Sequence, residues 1–270
     1  MQMCGKIITN EGMCMIKIAF FDFDGTLKHI ENKLMTETTV NMLHQLQDNG
    51  IKICIATGRP PLILPDFQGV EFDAYLTFNG SYCYTKEELI FNNPIPTQDV
   101  QQIIKNATSI GRPVELAGLE RMCANGKDQD LIDYMNISHQ LVNVVDDFDE
   151  FSKGEVYQIM VGTTPSEHEA LMKDAPGAKL TAWWDRAGDI VPVDGGKGTG
   201  IKKVLEYFGF TVEEAVAFGD AGNDVDMLQT VGLGVAMENA TDELKVVADD
   251  FCGHVKDDGI YHYCVKKGWL

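Results

Sequence analysis

Four short apolar runs, each closing on a polar turn, constrain this chain more than any other feature of its sequence. Residues 16–21 (Ile-Lys-Ile-Ala-Phe-Phe) run into Asp22-Phe23-Asp24-Gly25-Thr26. Residues 51–56 run into Thr57-Gly58-Arg59-Pro60, residues 74–78 end at Asn79-Gly80, and residues 215–218 run into Gly219-Asp220. Runs this short, apolar and bounded by turn residues read as strands buried on both faces. Between the first two lies residues 36–49, with Val40, Leu43 and Leu46 on one helical face and Gly50 as the stop. Residues 197–208 form a second helix ahead of Gly209, and helices at 223–230 and 244–248 flank a strand at 234–236. Buried strands alternating with helices predict an α/β protein with a Rossmann-like, doubly wound parallel sheet.

The middle of the chain breaks that alternation. Strands are expected at 82–84, 89–91, 113–117, 121–124, 156–161, 179–184 and 189–193, with helices at 97–110, 127–137 and 165–174. This is an α+β segment large enough for a small domain. The organisation that follows is a core from 15–81 and 192–270, an inserted α+β domain at 82–191, and a leader at 1–14 that is expected to be disordered.

Composition removes several function classes. The 270 residues hold 22 Lys and Arg against 41 Asp and Glu, a formal charge of −19. Binding a phosphate backbone or an anionic membrane against that field needs a local basic stripe, and the sequence has none. Nucleic-acid and membrane partners are therefore not expected. The longest apolar runs fall far short of a membrane span. The seven cysteines are odd in number and contain no C-x-x-C pair, so reduced, mostly buried thiols in a cytoplasmic protein are expected.

The polar clusters after the strands carry the chemistry. In an open parallel sheet the carboxyl ends of the strands share one crevice. Asp22, Asp24, Thr57, Asp220, Asn223 and Asp224 should therefore meet there, together with Lys197 at a helix start. Each has a plain reading alone: an Asx turn, a helix cap, a solvated lysine. Jointly they assemble carboxylates that repel one another unless a cation lies among them. An oxygen-only donor set favours a hard ion, and magnesium is the expected cofactor.

The set Asp22-Phe23-Asp24-Gly25-Thr26, Thr57-Gly58-Arg59, Lys197-Gly198 and Gly219-Asp220-Ala221-Gly222-Asn223-Asp224 resembles the haloacid dehalogenase superfamily of phosphohydrolases. Residues 234–240 (Gly-Val-Ala-Met-Glu-Asn-Ala), with Glu243-Leu244-Lys245, Ala248-Asp249 and the Asn79-Gly80 pair, resemble its Cof-type branch. The resemblance implies a nucleophile at Asp22, which takes up the phosphoryl group, and a general acid and base at Asp24. It implies phosphoryl contacts from Thr57, Gly58, Lys197 and Asn223. It implies a metal held by Asp22, the Asp24 backbone carbonyl, Asp220 and Asp224. The inserted domain then corresponds to a type II, subclass B cap over the crevice, because only the span from Thr57 to Lys197 is long enough to hold one.

Substrate specificity is expected within the cap, with Glu115, Arg121, Asp185 and Arg186 as candidates. Trp183 and Trp184 fit either cap packing or stacking on a sugar face. The leading expectation is a magnesium-dependent phosphatase of small phosphorylated metabolites, sugar phosphates foremost. Two alternatives are a hexose-phosphate phosphomutase and a non-catalytic phosphate-binding regulatory module.

Overall fold

The computed structural model describes residues 15–137 and 140–270, and of residues 182–184 only the backbone. The expectation for residues 1–14 and the side chains of Trp183 and Trp184 lie outside the described residues. In chain order the elements begin β1 (Ile18–Phe21), α1 (Glu37–Asp48), β2 (Lys52–Ala56), β3 (Ala74–Thr77), β4 (Tyr82–Tyr84) and β5 (Leu89–Asn92). There follow α2 (Thr97–Ser109), β6 (Val114–Ala117), β7 (Met122–Ala124), α3 (Gln129–Ile137), α4 (Phe148–Phe151), β8 (Gln158–Gly162) and α5 (His168–Leu171). The chain closes with β9 (Ala178–Trp184), β10 (Ala187–Pro192), α6 (Lys197–Phe208), β11 (Ala215–Gly219), α7 (Val225–Thr230), β12 (Leu233–Ala236), α8 (Asp242–Val247), β13 (Asp250–Phe251) and α9 (Gly259–Lys267).

The larger sheet has the order β13-β12-β11-β1-β2-β3-β4-β5, and its first six strands are parallel. The all-apolar β1 is buried along its whole length because it lies at the centre. Phe21 and Phe218, on adjacent strands, stack with ring centroids 5.2 Å apart. The chain leaves β1 through β2 to β3 on one side, then returns to β11 and continues through β12 to β13 on the other. The order therefore reverses between β1 and β11, and at such a reversal a crevice opens at the strand carboxyl ends. Asp22 directly follows β1, and Asp220 directly follows β11.

Local signals explain the helices. Thr36 caps α1 by accepting the Thr39 N–H at 3.0 Å, and the helix buries Met42, Leu43 and Leu46 toward the sheet. It packs beside α9, while α6, α7 and α8 lie side by side. Among the described residues, no helix is long and apolar enough to cross a membrane.

The second sheet, β7-β6-β8-β10-β9, is antiparallel throughout and forms the cap. Alternation assigns its faces. Val114, Leu116, Ile159 and Val161 pack on Val100, Ile103 and Ala107 of α2. Ala117, Met160 and Ala187 pack on Leu131, Tyr134 and Met135 of α3, and on Phe78 from the core.

Two features differ from the sequence reading. The hairpin β4–β5, expected at the start of the inserted domain, extends the larger sheet antiparallel to β3. Without it the edge of β3 would be left unpaired, and Tyr84 stacks on Tyr75 of β3 at 5.2 Å. A hairpin's own pattern does not say which sheet it joins. The terminal α9 was not expected either. Its Ile260, Tyr263 and Cys264 are buried, a stripe too short to stand out in the sequence.

Candidate active site

Four connections bring distant residues to the crevice above β1 and β11. Lys197, the first residue of α6, is fully buried, and its Nζ donates to Asp22 Oδ1 and to Asp224 Oδ1, each at 2.6 Å. Asp224 Oδ2 accepts the backbone N–H groups of Asp220 and Ala221 at 2.9 and 3.1 Å. Thr26 Oγ1 donates to Asp220 Oδ1 at 3.0 Å. One ligand oxygen each from Asp22, Asp220 and Asp224 lies within 4.8 Å of the others.

This cluster holds three carboxylates and one ammonium in a space largely shut to water. Burial, with the carboxylates of Asp224 and Asp24 nearby, pushes Asp22 up to about 7 against the pull of Lys197. Burial, with Asp22 and Asp224, pushes Asp220 up to about 8. Lys197 is desolvated as well, yet its two carboxylate partners hold it well above the usual lysine range. Fully ionised, the three carboxylates would exceed the single ammonium by two negative charges, the charge a divalent ion would neutralise, and the raised Asp22 and Asp220 carboxyls reflect the cost of that ionisation without one. The donors are all oxygen, so the residues present fit magnesium or a similar hard cation.

The glycine at position 25 is demanded by this geometry. Its φ is +97°, and a Cβ there would lie 2.2 Å from Asp220 Oδ2. Asn239 Nδ2 donates to the Gly25 carbonyl at 2.8 Å and holds that loop from the far side.

Thr57 is buried at the end of β2, and its Oγ1 accepts the Arg59 N–H at 3.1 Å. Asn79 donates its backbone N–H to the Thr57 carbonyl at 3.0 Å. Asn223 Nδ2 donates to Asn79 Oδ1 at 3.0 Å. The Asp24 carboxylate points to Arg59, which donates from Nε at 2.7 Å and from its terminal nitrogen at 3.0 Å. Lys28 Nζ lies 3.0 Å away on the same carboxylate. Burial works to raise Asp24, but Arg59 and then Lys28 outweigh it and hold the carboxyl below its usual range.

The structure thus gathers Asp22, Lys197, Asp220 and Asp224 into one contact network, with Thr57, Gly58, Asn79 and Asn223 in another beside it. The four cap candidates are placed differently. Arg121 pairs with Asp147 at 2.6 Å and sits over the Phe151 ring. Arg186 bridges Asp130 and Asp133 of α3 at 3.0 and 3.1 Å. Both engagements are internal to the cap. Asp185 is exposed in the β9–β10 turn. Glu115 is 1% exposed, its Oε2 has no partner, and burial pushes it up to about 7. Its cross-strand neighbour Met160 shares a cluster with Phe78, so Glu115 lies on the face turned to the core.

Three site residues had no role in the sequence reading: Arg59, Lys28 and Asn79. Arg59 stood in the Thr57-Gly58-Arg59 motif without a role of its own, and Lys28 was visible only by its place four residues after Asp24. Lys179 also reaches the rim from cap strand β9, donating to the Gly195 carbonyl at 2.6 Å.

The chain resembles known proteins over most of its length. The family described as haloacid dehalogenase-like hydrolase matches residues 19–264. YkrA of Bacillus subtilis (strain 168), whose name assigns phosphatase activity provisionally, is 32% identical over 257 residues, spanning 93% of this chain and 97% of that protein. The structure of BT4131, described as a HAD subclass IIB sugar phosphatase, superposes with a TM-score of 0.86 at 29% identity, covering 94% of this chain and all of that one. BT1666 of Bacteroides thetaiotaomicron, described among the phosphatases of the same superfamily, gives a TM-score of 0.89 at 29% identity over 97% of this chain and 99% of its own.

Proposed function

The chain belongs to the haloacid dehalogenase-like hydrolases of the Cof type and is a phosphoric monoester hydrolase, and from that premise we propose that it is a magnesium-dependent phosphatase of small phosphorylated metabolites, sugar phosphates foremost. The observation that carries the metal dependence is the largely buried Asp22, Asp220 and Asp224 cluster, whose ionised form would outweigh Lys197 by two negative charges. The description of BT4131 as a sugar phosphatase supports the substrate class.

In this reading Asp22 is the nucleophile. Lys197 holds its carboxylate in one orientation and offsets part of the repulsion between it and an incoming phosphate. Two like unit charges 4 Å apart cost about 4 kcal/mol at an effective dielectric near 20, so a carboxylate facing a phosphate dianion needs such partners. An Asp22 oxygen forms a bond to phosphorus as the ester oxygen leaves, and Asp24 gives that oxygen its proton. Water then attacks the phosphorus, Asp24 takes the proton back, and inorganic phosphate leaves with the Asp22 carboxylate restored. Thr57 and Asn223 bind the phosphoryl oxygens. Asp22, Asp220, Asp224 and the Asp24 carbonyl would hold the ion, which neutralises charge on the nucleophile and the phosphoryl group. Glu115 is the cap candidate best placed for specificity, because a buried carboxyl whose Oε2 has no partner suits a hydroxyl or amino donor on the leaving group.

The phosphomutase alternative asks for a second anion site in the cap. Arg121 and Arg186 would be its natural cations, and both are occupied by cap carboxylates. The test is phosphate release from a panel of phosphomonoesters, with magnesium and with chelator. Release from hexose or pentose phosphates that stops on chelation is the expected result. Release that persists after complete chelation removes the metal from the reading, and isomerised sugar phosphate without free phosphate favours the mutase.

A further inference from the structure

Three consecutive residues linking β3 to β4 have positive φ, in the left-handed region: Phe78 at 48°, Asn79 at 52° and Gly80 at 81°. For a bulky residue such as Phe this is an outlier, and such conformations persist only when their surroundings over-determine them. Here the surroundings do so from every side. The Phe78 N–H donates to the Arg59 carbonyl at 3.1 Å, and the Asn79 N–H to the Thr57 carbonyl at 3.0 Å. The Phe78 ring stacks on the buried cap residue Tyr157, with centroids 4.9 Å apart. Gly80 is pressed on the start of α6, where a Cβ would come within 2.5 Å of the Gly196 carbonyl oxygen and 3.0 Å of Lys197 Cα.

What this contorted segment delivers is the Asn79 side chain, 5% exposed, to the phosphoryl-binding loop. A Cβ on Gly58 would lie 3.3 Å from both polar atoms of the Asn79 amide. The Asn79 Oδ1 accepts one N–H of Asn223. An amide side chain can present either its carbonyl or its NH2 to a neighbour, and only the NH2 attracts a phosphate. An acceptor fixed beside Asn223 selects the NH2 orientation and leaves its second N–H for a phosphoryl oxygen.

We propose that Asn79 is a positioning residue for phosphoryl transfer, which acts through Asn223 by locking the orientation of its amide. This inference rests on the phosphatase reading above. It gives a reason for a left-handed Phe-Asn-Gly turn where an ordinary strand exit would be less strained.

The test is a double-mutant cycle with Asn79→Gly and Asn223→Ala, read as kcat/KM for p-nitrophenyl phosphate and as inhibition by orthovanadate. Glycine keeps the left-handed backbone without strain, so this variant removes the amide and not the fold. Each single substitution is expected to lower kcat/KM and vanadate affinity by roughly ten- to a hundredfold, the range of one hydrogen bond to a charged group. The double variant is expected to be no worse than Asn223→Ala alone, because the Asn79 effect passes through Asn223. An Asn79→Gly enzyme equal to wild type overturns the inference, and so do losses that multiply in the double variant. A wild-type protein that releases no phosphate overturns the phosphatase reading and this inference together.

Discussion

The Asp24 carboxylate and the Arg59 guanidinium meet through two hydrogen bonds, of 2.7 and 3.0 Å, at the mouth of the crevice. A bidentate pair of this kind favours the ionised carboxyl and fixes its plane. Proton donation to a leaving group needs the neutral form. Replacing Arg59 with Met should let the Asp24 pKa rise, since the largest opposing influence on its burial is gone. The alkaline limb of the kcat/KM profile, where the acid is lost, should then move to higher pH, with kcat reduced about tenfold because Asp24 is no longer oriented. A profile identical to wild type would show that Arg59 does not govern Asp24.

Metal binding should appear as stability before it appears as rate. If Asp22, Asp220 and Asp224 hold a cation as proposed, its charge would relieve the repulsion among them, so saturating magnesium should raise the melting temperature by several degrees. At a hundred times the dissociation constant the gain is about 2.7 kcal/mol. Asp220→Asn should abolish most of that shift. Asp22→Asn should lower kcat by at least about a thousandfold, since an amide is a poor nucleophile. Thermal melts with and without chelator, set beside phosphate release, read both.

Gly25→Ala and Gly50→Ala form a matched pair. Both positions have positive φ, +97° and +80°, so both substitutions carry a backbone cost of about 1–2 kcal/mol. Only at Gly25 does the new Cβ meet a proposed metal ligand, Asp220 Oδ2, while at Gly50 nothing lies within 4 Å. Gly50→Ala should lower the melting temperature and keep full activity. Gly25→Ala should also lose activity by tenfold or more and weaken the magnesium response, measured by kcat against magnesium concentration.

Glu115 sets a pH dependence on stability. Burial raises its carboxyl from 4.5 to about 7 in the folded protein. The folded state therefore binds the proton more tightly than the unfolded chain, and stability falls as pH rises from about 4.5 to 7. The full loss is on the order of 3 kcal/mol, from about 1.4 kcal/mol per pKa unit. Glu115→Gln should make the slope shallower by this amount, the raised Asp22 and Asp220 carboxyls supplying the remainder, and leave the variant more stable than wild type at pH 8 relative to pH 5. Urea midpoints at the two pH values measure it, and equal slopes in both proteins would place Glu115 in contact with solvent.

Much of this protein was legible in the order of its residues. The apolar runs that became β1, β2, β3 and β11 are long enough to be strands and too apolar to be exposed, so burial on both faces followed. Parallel strands then had to send Asp22, Thr57 and Asp220 to one edge. Lys197 and Asp224 were readable for the same reason, because each opens or precedes a helix that starts at that edge. These conclusions rest on local periodicity and turn chemistry, which neighbours in sequence decide.

The rest depended on which distant groups found one another. The hairpin β4–β5 completed the edge of β3 instead of joining the cap sheet. Arg121 and Arg186, free cations on paper, were taken by Asp147, Asp130 and Asp133. Arg59, a turn residue by its sequence, closed on Asp24, and Asn79 was turned against the Thr57–Gly58 loop by its backbone bond to Thr57 and by the Phe78–Tyr157 stack. A charged or amide side chain commits to whichever partner packing brings within hydrogen-bond reach, and that distance exists only once the chain has folded.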